Sequence, residues 1–248
     1  MDIPKIFTIS ESAHRIHNPF TAQKYATLGQ VLRMAPGTRI LDLGSGSGEM
    51  LCTWARDHGI SGVGIDMSQL FSEQATLRAS ELGVTEHVRF IHADATGYIA
   101  EEKFDIAACI GATWIAGGVA GTVKQLKQSL KSGGILLIGE PYWCQIPATE
   151  EIAKSCGATS VTDFLSLPER VSSFDQLGYD VVEMVLADQE GWDRYEAAKW
   201  LTMHRWLEAN PDDEFAVEVR EQLRSSPARH VTFTREYIGW GVFALMRR

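Results

Sequence analysis

Residues 41–50, LDLGSGSGEM, place three glycines at alternate positions directly after a short apolar run that contains one carboxylate, Asp42. Glycine has no Cβ and tolerates left-handed backbone, so such a loop lets a ligand lie against the main chain. Nucleotide phosphates are the first candidates for this cradle. A dinucleotide site needs GxGxxG at a helix start, but counted from Gly44 the third glycine, Gly48, arrives one place early, and counted from Gly46 the required position holds Leu51. A P-loop is excluded because no GK[ST] follows. An acidic residue at the mouth of the loop suits a cationic ligand better than a pyrophosphate. Further carboxylates follow later apolar runs: Asp66 in GVGIDMS, Asp94 in FIHADATG and Glu140 in GEPYW.

To act together, these groups need a scaffold that brings the ends of apolar runs to one edge. Apolar runs at 39–43, 62–65, 88–92, 105–110 and 135–139 alternate with helical patterns at 50–58, 68–82 and 119–130, the signature of βα units around a parallel sheet. Ser68 is a plausible N-cap, and KSGG closes the third helix. SLPE at 166–169 has the form of a capping box, QLGYDVVEMVLA that of a helix end passing into a sixth strand, and YIGWGVFALMRR that of a seventh. Two segments fall outside the alternation. NPFTAQKYATLGQVLRM looks like a helix entered through Asn18-Pro19, and an aromatic-rich helical stretch precedes the last strand. The expectation is an α/β fold: a doubly wound, mostly parallel seven-stranded sheet with an amino-terminal helical segment and a helical insert. A single domain, 1–248, would then comprise an N-terminal lid or helix at 1–35, a cofactor-binding core at 36–190, a cap at 191–227 and the last strand at 228–248.

The first motif resembles that of the class I S-adenosylmethionine-dependent methyltransferases, an apolar strand, an acidic residue and GxGxG, matched by Asp42, Gly44, Gly46 and Gly48. The later strand ends follow the same family in order, with a Rossmann-like methyltransferase fold implied. The resemblance assigns the loop, including Ser45, to the methionine and ribose portions of the cofactor, and Asp42 to its ammonium. It gives Asp66 the ribose hydroxyls, Met67 an adenine face, and Asp94 with Ala95 the adenine edge. The fourth strand end, Cys109 and Ile110, supplies a backbone carbonyl and apolar contact. LKSGG resembles the family's LKPGG, with Ser132 in place of proline. The general plan is closest to small-molecule methyltransferases of the ubiquinone/menaquinone-biosynthesis type, whose acceptor does not carry over.

Methyl transfer is an in-line displacement, and a general base is required only when the nucleophile is protonated. The end of the fifth strand offers a substrate wall: Glu140 as base or cation holder, with Tyr142 and Trp143. Trp114, among glycines in GATWIAGG, suits a closing loop, and His14 and His17 precede a helix that in this family often folds across the site. Tyr195 lies in the insert with Trp192, Met203 and Trp206 at helical spacing, a pattern more often core than ligand contact. As a cap, those aromatics would favour a flat or cationic small molecule.

Composition narrows the partners. A net charge of −9 and a pI near 5.3, without a basic run, disfavour nucleic acid. No apolar run approaches a membrane span and MDIPKIFTIS is not a secretory signal, so a cytoplasmic protein without membrane partners is expected. Cys52, Cys109, Cys144 and Cys156 are scattered without CxxC spacing, and no metal site is expected. The expected activity is transfer of a methyl group from S-adenosylmethionine to a nitrogen, oxygen or carbon of a small molecule. Rival readings are a protein or RNA methyltransferase, or a non-catalytic cofactor-binding sensor or assembly protein. No motif specifies an oligomeric state.

Overall fold

Seven strands in the spatial order β3-β2-β1-β4-β5-β7-β6 form the middle layer of the computed structural model, which describes residues 3–248. The strands are β1 Arg39–Leu43, β2 Ser61–Asp66, β3 Val88–His92, β4 Phe104–Ile110, β5 Leu130–Trp143, β6 Tyr179–Leu186 and β7 Ile238–Arg247. Neighbours among β1 to β5 pair in parallel, whereas β7 runs antiparallel to both β5 and β6. The order steps outward from β1 to β3 and returns to the other side of β1 with β4. A ligand crevice opens at such a switch point, beyond the carboxyl ends of the strands.

Both faces of the sheet are covered, so strand residues alternate between two cores. Ile40, Val242 and Ala244 join Leu28 of α2 (Ala22–Val31) and Leu51 and Trp54 of α3 (Glu49–His58) on one face. Leu41, Leu43, Phe243 and Leu245 join Val123 and Leu126 of the helix Val119–Leu126 and Phe174 of the helix Leu167–Gln176 on the other. Each fully buried Leu or Phe contributes roughly 1.5–3 kcal/mol. The helix starts follow side-chain chemistry. Ser68 accepts from the Phe71 amide to open α4 (Gln69–Glu81), and Ser166 with Glu169 forms the complete capping box.

Several boundaries differ from the sequence expectation. The fifth strand extends in both directions beyond 135–139, its start at Leu130 pairing with Phe104 of β4 and its end pairing with β7 as far as Trp143↔Ile238. Its start at Leu130 absorbs KSGG, Gly133 taking φ +74° where the register with β4 shifts. The amino-terminal helix begins after Thr21, whose side chain caps Lys24, while Asn18 is buried and bonded to Phe20 and Tyr25 instead. The final strand begins at Ile238. The preceding residues continue a helix through Arg229 and then form a π turn, His230–Thr234.

A third cluster lies off the sheet. Ile9 of α1 (Lys5–Glu11) packs with Met203 and Leu207 of the 21-residue helix Gln189–Ala209 and with Ala216 and Val219 of the helix Ala216–Arg229. Met1 and Asp2, the first residues assigned to the lid, lie outside the described residues. The amino-terminal segment and the helix Gln189–Ala209 meet at one buried carboxylate, Glu11. The Tyr195 hydroxyl donates to its Oε1 at 2.7 Å, Lys199 Nζ lies 3.4 Å from the same oxygen, and His17 and His14 Nδ1 lie 3.2 and 3.6 Å from Oε2. Burial opposes ionisation, but the His17 hydrogen bond and the charges of Lys199, His14 and His17 outweigh it, holding this carboxyl at about 2 against an ordinary 4.5. A carboxyl depressed in the folded state contributes stability that is present above its unfolded value and lost as pH falls toward 2. Glu11→Gln is expected to cost about 3 kcal/mol at pH 7, by leaving buried cations unpaired, and to flatten the acid side of the stability profile. Urea unfolding at pH 7 and at pH 3 checks both effects.

Candidate active site

The glycine loop is required by conformation and by contact. Gly44, Gly46 and Gly48 have φ of +77°, +53° and +71°, and a Cβ on them would lie 2.5 Å from Ala112, 2.6 Å from the His17 ring and 2.5 Å from Phe90. Asp66 locks the loop to the end of β2: its Oδ2 accepts from the Gly46 N–H and its Oδ1 from the Ser68 N–H, both at 2.8 Å. Each oxygen keeps acceptor capacity for a further donor.

Beside the loop lies a cavity of about 290 Å³. Gly44, Gly46, Asp66, Met67, Asp94, Ala95 and Ile110 line it, converging from four successive strand ends. Asp94 is exposed; its Oδ1 accepts from the Thr96 N–H at 2.8 Å, and that bond holds its carboxyl below the usual range. Gln125 Nε2 donates to the Ala95 carbonyl at 2.7 Å and fixes this turn from behind. Phe71, Gly111, Ala112 and Ile115 complete the wall without having been singled out in the sequence, since nothing but proximity marks them.

Asp42 and Ser45 border a pocket of about 30 Å³ that shares Gly44, Gly46, His17 and Ile110 with the larger one. Asp42 is buried, and its Oδ1 has no hydrogen-bond partner. Burial, reinforced by the charge of Asp66, pushes its carboxyl up to about 7. A buried acceptor left in this state fits a cation, directly or through one water. Gly48 caps α3 from behind, against Phe90 and Ala75. Cys109 lies in the sheet core, outside the cavity lining, where burial pushes its thiol up.

A second, larger cavity of about 1100 Å³ adjoins the first between the sheet edge, α1 and the two cap helices. The two share Pro4, Phe7, His17, Gly111 and Trp114. Trp114 sits on a 3₁₀ turn, Thr113–Ala116, 51% exposed between Gly111 and Gly117, both at positive φ. Tyr195 and Glu140 line the second cavity. Glu140 accepts from the Thr113 hydroxyl, and Arg170 lies 3.6 Å away; burial nevertheless raises its carboxyl above the ordinary range.

Three expected substrate contacts are placed elsewhere. Tyr142 and Trp143 remain inside the sheet because β5 pairs four residues beyond Gly139. The Tyr142 ring covers Gly239, and the Trp143 indole donates to the Val161 carbonyl at 2.8 Å among Ala153, Cys156 and Ile238. His14 is outside both cavity linings, its Nε2 against the Tyr195 carbonyl at 3.1 Å. His17 borders both, but its ring nitrogens are engaged by Glu11 and by Ser47 Oγ at 2.8 Å. Among the described residues no three His, Cys, Asp or Glu side chains gather as a metal-ligating group.

Known proteins give this geometry its context. A methyltransferase domain family matches residues 40–134. The chain is 71% identical to an S-adenosylmethionine-dependent methyltransferase from Geobacter sulfurreducens, solved in complex with S-adenosyl-L-homocysteine, at TM-score 0.98 over 100% of this chain and 99% of that one. This chain belongs to the S-adenosylmethionine-dependent methyltransferases. A second such methyltransferase, from Thiobacillus denitrificans and also in complex with S-adenosyl-L-homocysteine, is 69% identical at TM-score 0.98 over 100% of each chain. The uncharacterized protein YjhP of Escherichia coli (strain K12) is 75% identical over 248 residues, 100% of both chains. The cofactor of this methyltransferase is S-adenosylmethionine.

With Asp42 proposed as the contact for the cofactor's ammonium, its elevated carboxyl implies a pH dependence for cofactor binding. A cation favours ionised Asp42, so binding releases a proton below about 7 and weakens as pH falls, approaching tenfold per pH unit. Calorimetric titration with S-adenosylhomocysteine from pH 5.5 to 8 is expected to show this slope. Asp42→Asn should bind more weakly at pH 8 and lack it.

Proposed function

We propose that this methyltransferase moves the methyl group to a nitrogen, oxygen or carbon of a small molecule held in the larger cavity. The observation that carries the proposal is the junction of the two cavities at Gly111, His17 and Trp114, with α1 and the helices Gln189–Ala209 and Ala216–Arg229 lining the larger one. A volume of about 1100 Å³ has the size of a small-molecule site. The net charge of −9 also disfavours RNA. The likeness in general plan to enzymes of ubiquinone and menaquinone biosynthesis supports the small-molecule class and assigns no acceptor. Action in the cytoplasm is part of the same proposal. Among the described residues no helix is long and apolar enough to cross a membrane.

When bound, the cofactor supplies an electrophilic methyl on a sulfonium. In this proposal the chain's own part is binding and alignment. Asp66, preset by two backbone donors, takes the ribose hydroxyls; Met67, Asp94, Ala95 and Ile110 take the adenine; the glycine loop with Ser45 and Asp42 takes the methionine end. Trp114, half-exposed on its 3₁₀ turn, stands at the junction where it can fold against a bound acceptor. His17, with both ring nitrogens engaged, positions the lid against the loop. Glu140, raised by burial and lining the acceptor cavity, is the group that can accept a proton from an alcohol or ammonium nucleophile.

Methyl transfer from labelled cofactor to a fractionated metabolite extract tests the activity, and cofactor binding without transfer to any fraction would favour a non-catalytic sensor. With an acceptor in hand, Glu140→Gln is expected to lower turnover roughly 100-fold with S-adenosylhomocysteine affinity unchanged. Full activity would remove Glu140 from the mechanism.

A further inference from the structure

One arginine is buried where helix packing calls for an apolar residue. The helix Leu167–Gln176 turns two side chains inward, Arg170 and Phe174, one helical turn apart on the same face. Phe174 is fully buried and packs against Phe243 of β7, ring centroids 5.2 Å apart. Arg170 is only 6% exposed, and its guanidinium meets the end of β5, where Nη2 lies 3.6 Å from Glu140 Oε2. The start of the helix is tied to the same strand end: the Trp143 N–H donates to the Leu165 carbonyl at 2.9 Å, and Trp143 pairs with Ser166. The helix is thereby held in the register that delivers Arg170 to Glu140.

A guanidinium does not give up its proton inside a protein, so a buried one requires a negative charge close by. Among the described residues, Glu140 is the single carboxylate within ion-pair distance of Arg170. As packing alone the pair is a poor choice, because apolar side chains of like volume serve as well or better in such a place. Pairing does not exhaust the carboxylate. Oε1 accepts from the Thr113 hydroxyl, Oε2 lies toward Arg170, and further lone pairs remain on a residue that lines the larger cavity. Of its other neighbours, β7 places Gly241 opposite it, and Cys109 of β4 is a thiol kept neutral by burial. Burial raises the Glu140 carboxyl, and the Thr113 hydrogen bond and the Arg170 charge oppose that rise.

We propose that Arg170 is a positioning residue for the acceptor-side base: from the core-facing side of its helix it keeps Glu140 ionised at the wall of the larger cavity. This rests on Glu140 being that base. When an alcohol or ammonium nucleophile passes its proton to a Glu140 oxygen, the carboxyl becomes neutral and Arg170 loses its counter-charge. That imbalance favours release of the proton to water, which restores the ionised base for the next turnover. Without Arg170, burial acts on Glu140 unopposed by any cation and drives it toward the protonated form, which can no longer take up a proton.

The charge of Glu140 can be read without an acceptor. Full-length protein loaded with S-adenosylhomocysteine and labelled with ¹³C at the glutamate side-chain carboxyl reports ionisation through the carbon chemical shift, and the signal lost in Glu140→Gln is that of Glu140. In the wild-type protein this signal is expected to be that of a carboxylate at pH 7; a neutral Glu140 there overturns the proposal without recourse to any variant. Arg170→Met is expected to raise the titration midpoint by at least about one pH unit, the effect of losing an opposite charge at this range. Arg170→Lys, which returns the charge without the planar fork, should recover most of the wild-type midpoint. An unchanged midpoint in Arg170→Met, or an Arg170→Lys protein that titrates like Arg170→Met, overturns the assignment, because an arginine that only fills space would leave the charge of Glu140 where it was. Turnover of Glu140→Gln reports separately on the base, so failure of that reading and failure of the Arg170 hold on the carboxylate are distinguishable.

Discussion

A carboxylate with no exposed surface, Glu11, holds the functional half of this molecule in place. Its two oxygens gather Tyr195 and Lys199 from the cap, and His14 and His17 from the amino-terminal segment. His17 passes the constraint on to Ser47 in the glycine loop, and Ser47 to Gln74 of α4. The amino-terminal segment, the helix Gln189–Ala209 and the glycine loop are therefore fastened through one buried charge cluster. Ionic partners satisfy it, which is why the carboxyl stays ionised at a depth where burial alone would neutralise it. Without it, α1 would rest on the helices Gln189–Ala209 and Ala216–Arg229 through Ile9 and its neighbours alone, and the wall of the larger cavity would lose its polar fastening.

The sheet half was legible because its signals are local. Asp42, the three glycines, Asp66 and Asp94 each end an apolar run, and a parallel sheet necessarily brings the carboxyl ends of consecutive strands to one edge. The pattern of runs therefore carried the fold and the proposed cofactor contacts together. Glu11 had no such signature. Its meaning depends on residues about 180 positions away, and in sequence it is one acid in an amphipathic opening segment. His230, Arg229 and Trp200, which line the larger cavity, were hidden for a related reason. The π turn that sets His230 against the cavity follows a helix containing Pro227, and neither its register nor its facing can be read from periodicity.

Tyr142 and Trp143 show how one misplaced strand end changes a functional assignment. GEPYW resembles a loop because glycine and proline interrupt it, yet β7 presents an unbroken partner strand and carries the pairing to Trp143. Proline tolerates strand positions where its missing N–H costs no ladder bond. The two aromatics consequently serve the packing of Gly239 and of the Ala153 to Cys156 region, and Glu140 alone of that motif's three candidate substrate contacts faces the cavity.

The cap leaves the sheet after Leu186 and returns at Ile238, and these ends belong to hydrogen-bonded neighbours, with Leu186 opposite Gly241. Adjacent strands lie about 4.8 Å apart. An excursion that leaves from one strand and returns on its neighbour, three residues beyond the pairing of Leu186 with Gly241, leaves the register of the sheet intact. Change between those ends can reshape the wall of the larger cavity without altering strand register, provided Tyr195 and Lys199 keep their hold on Glu11.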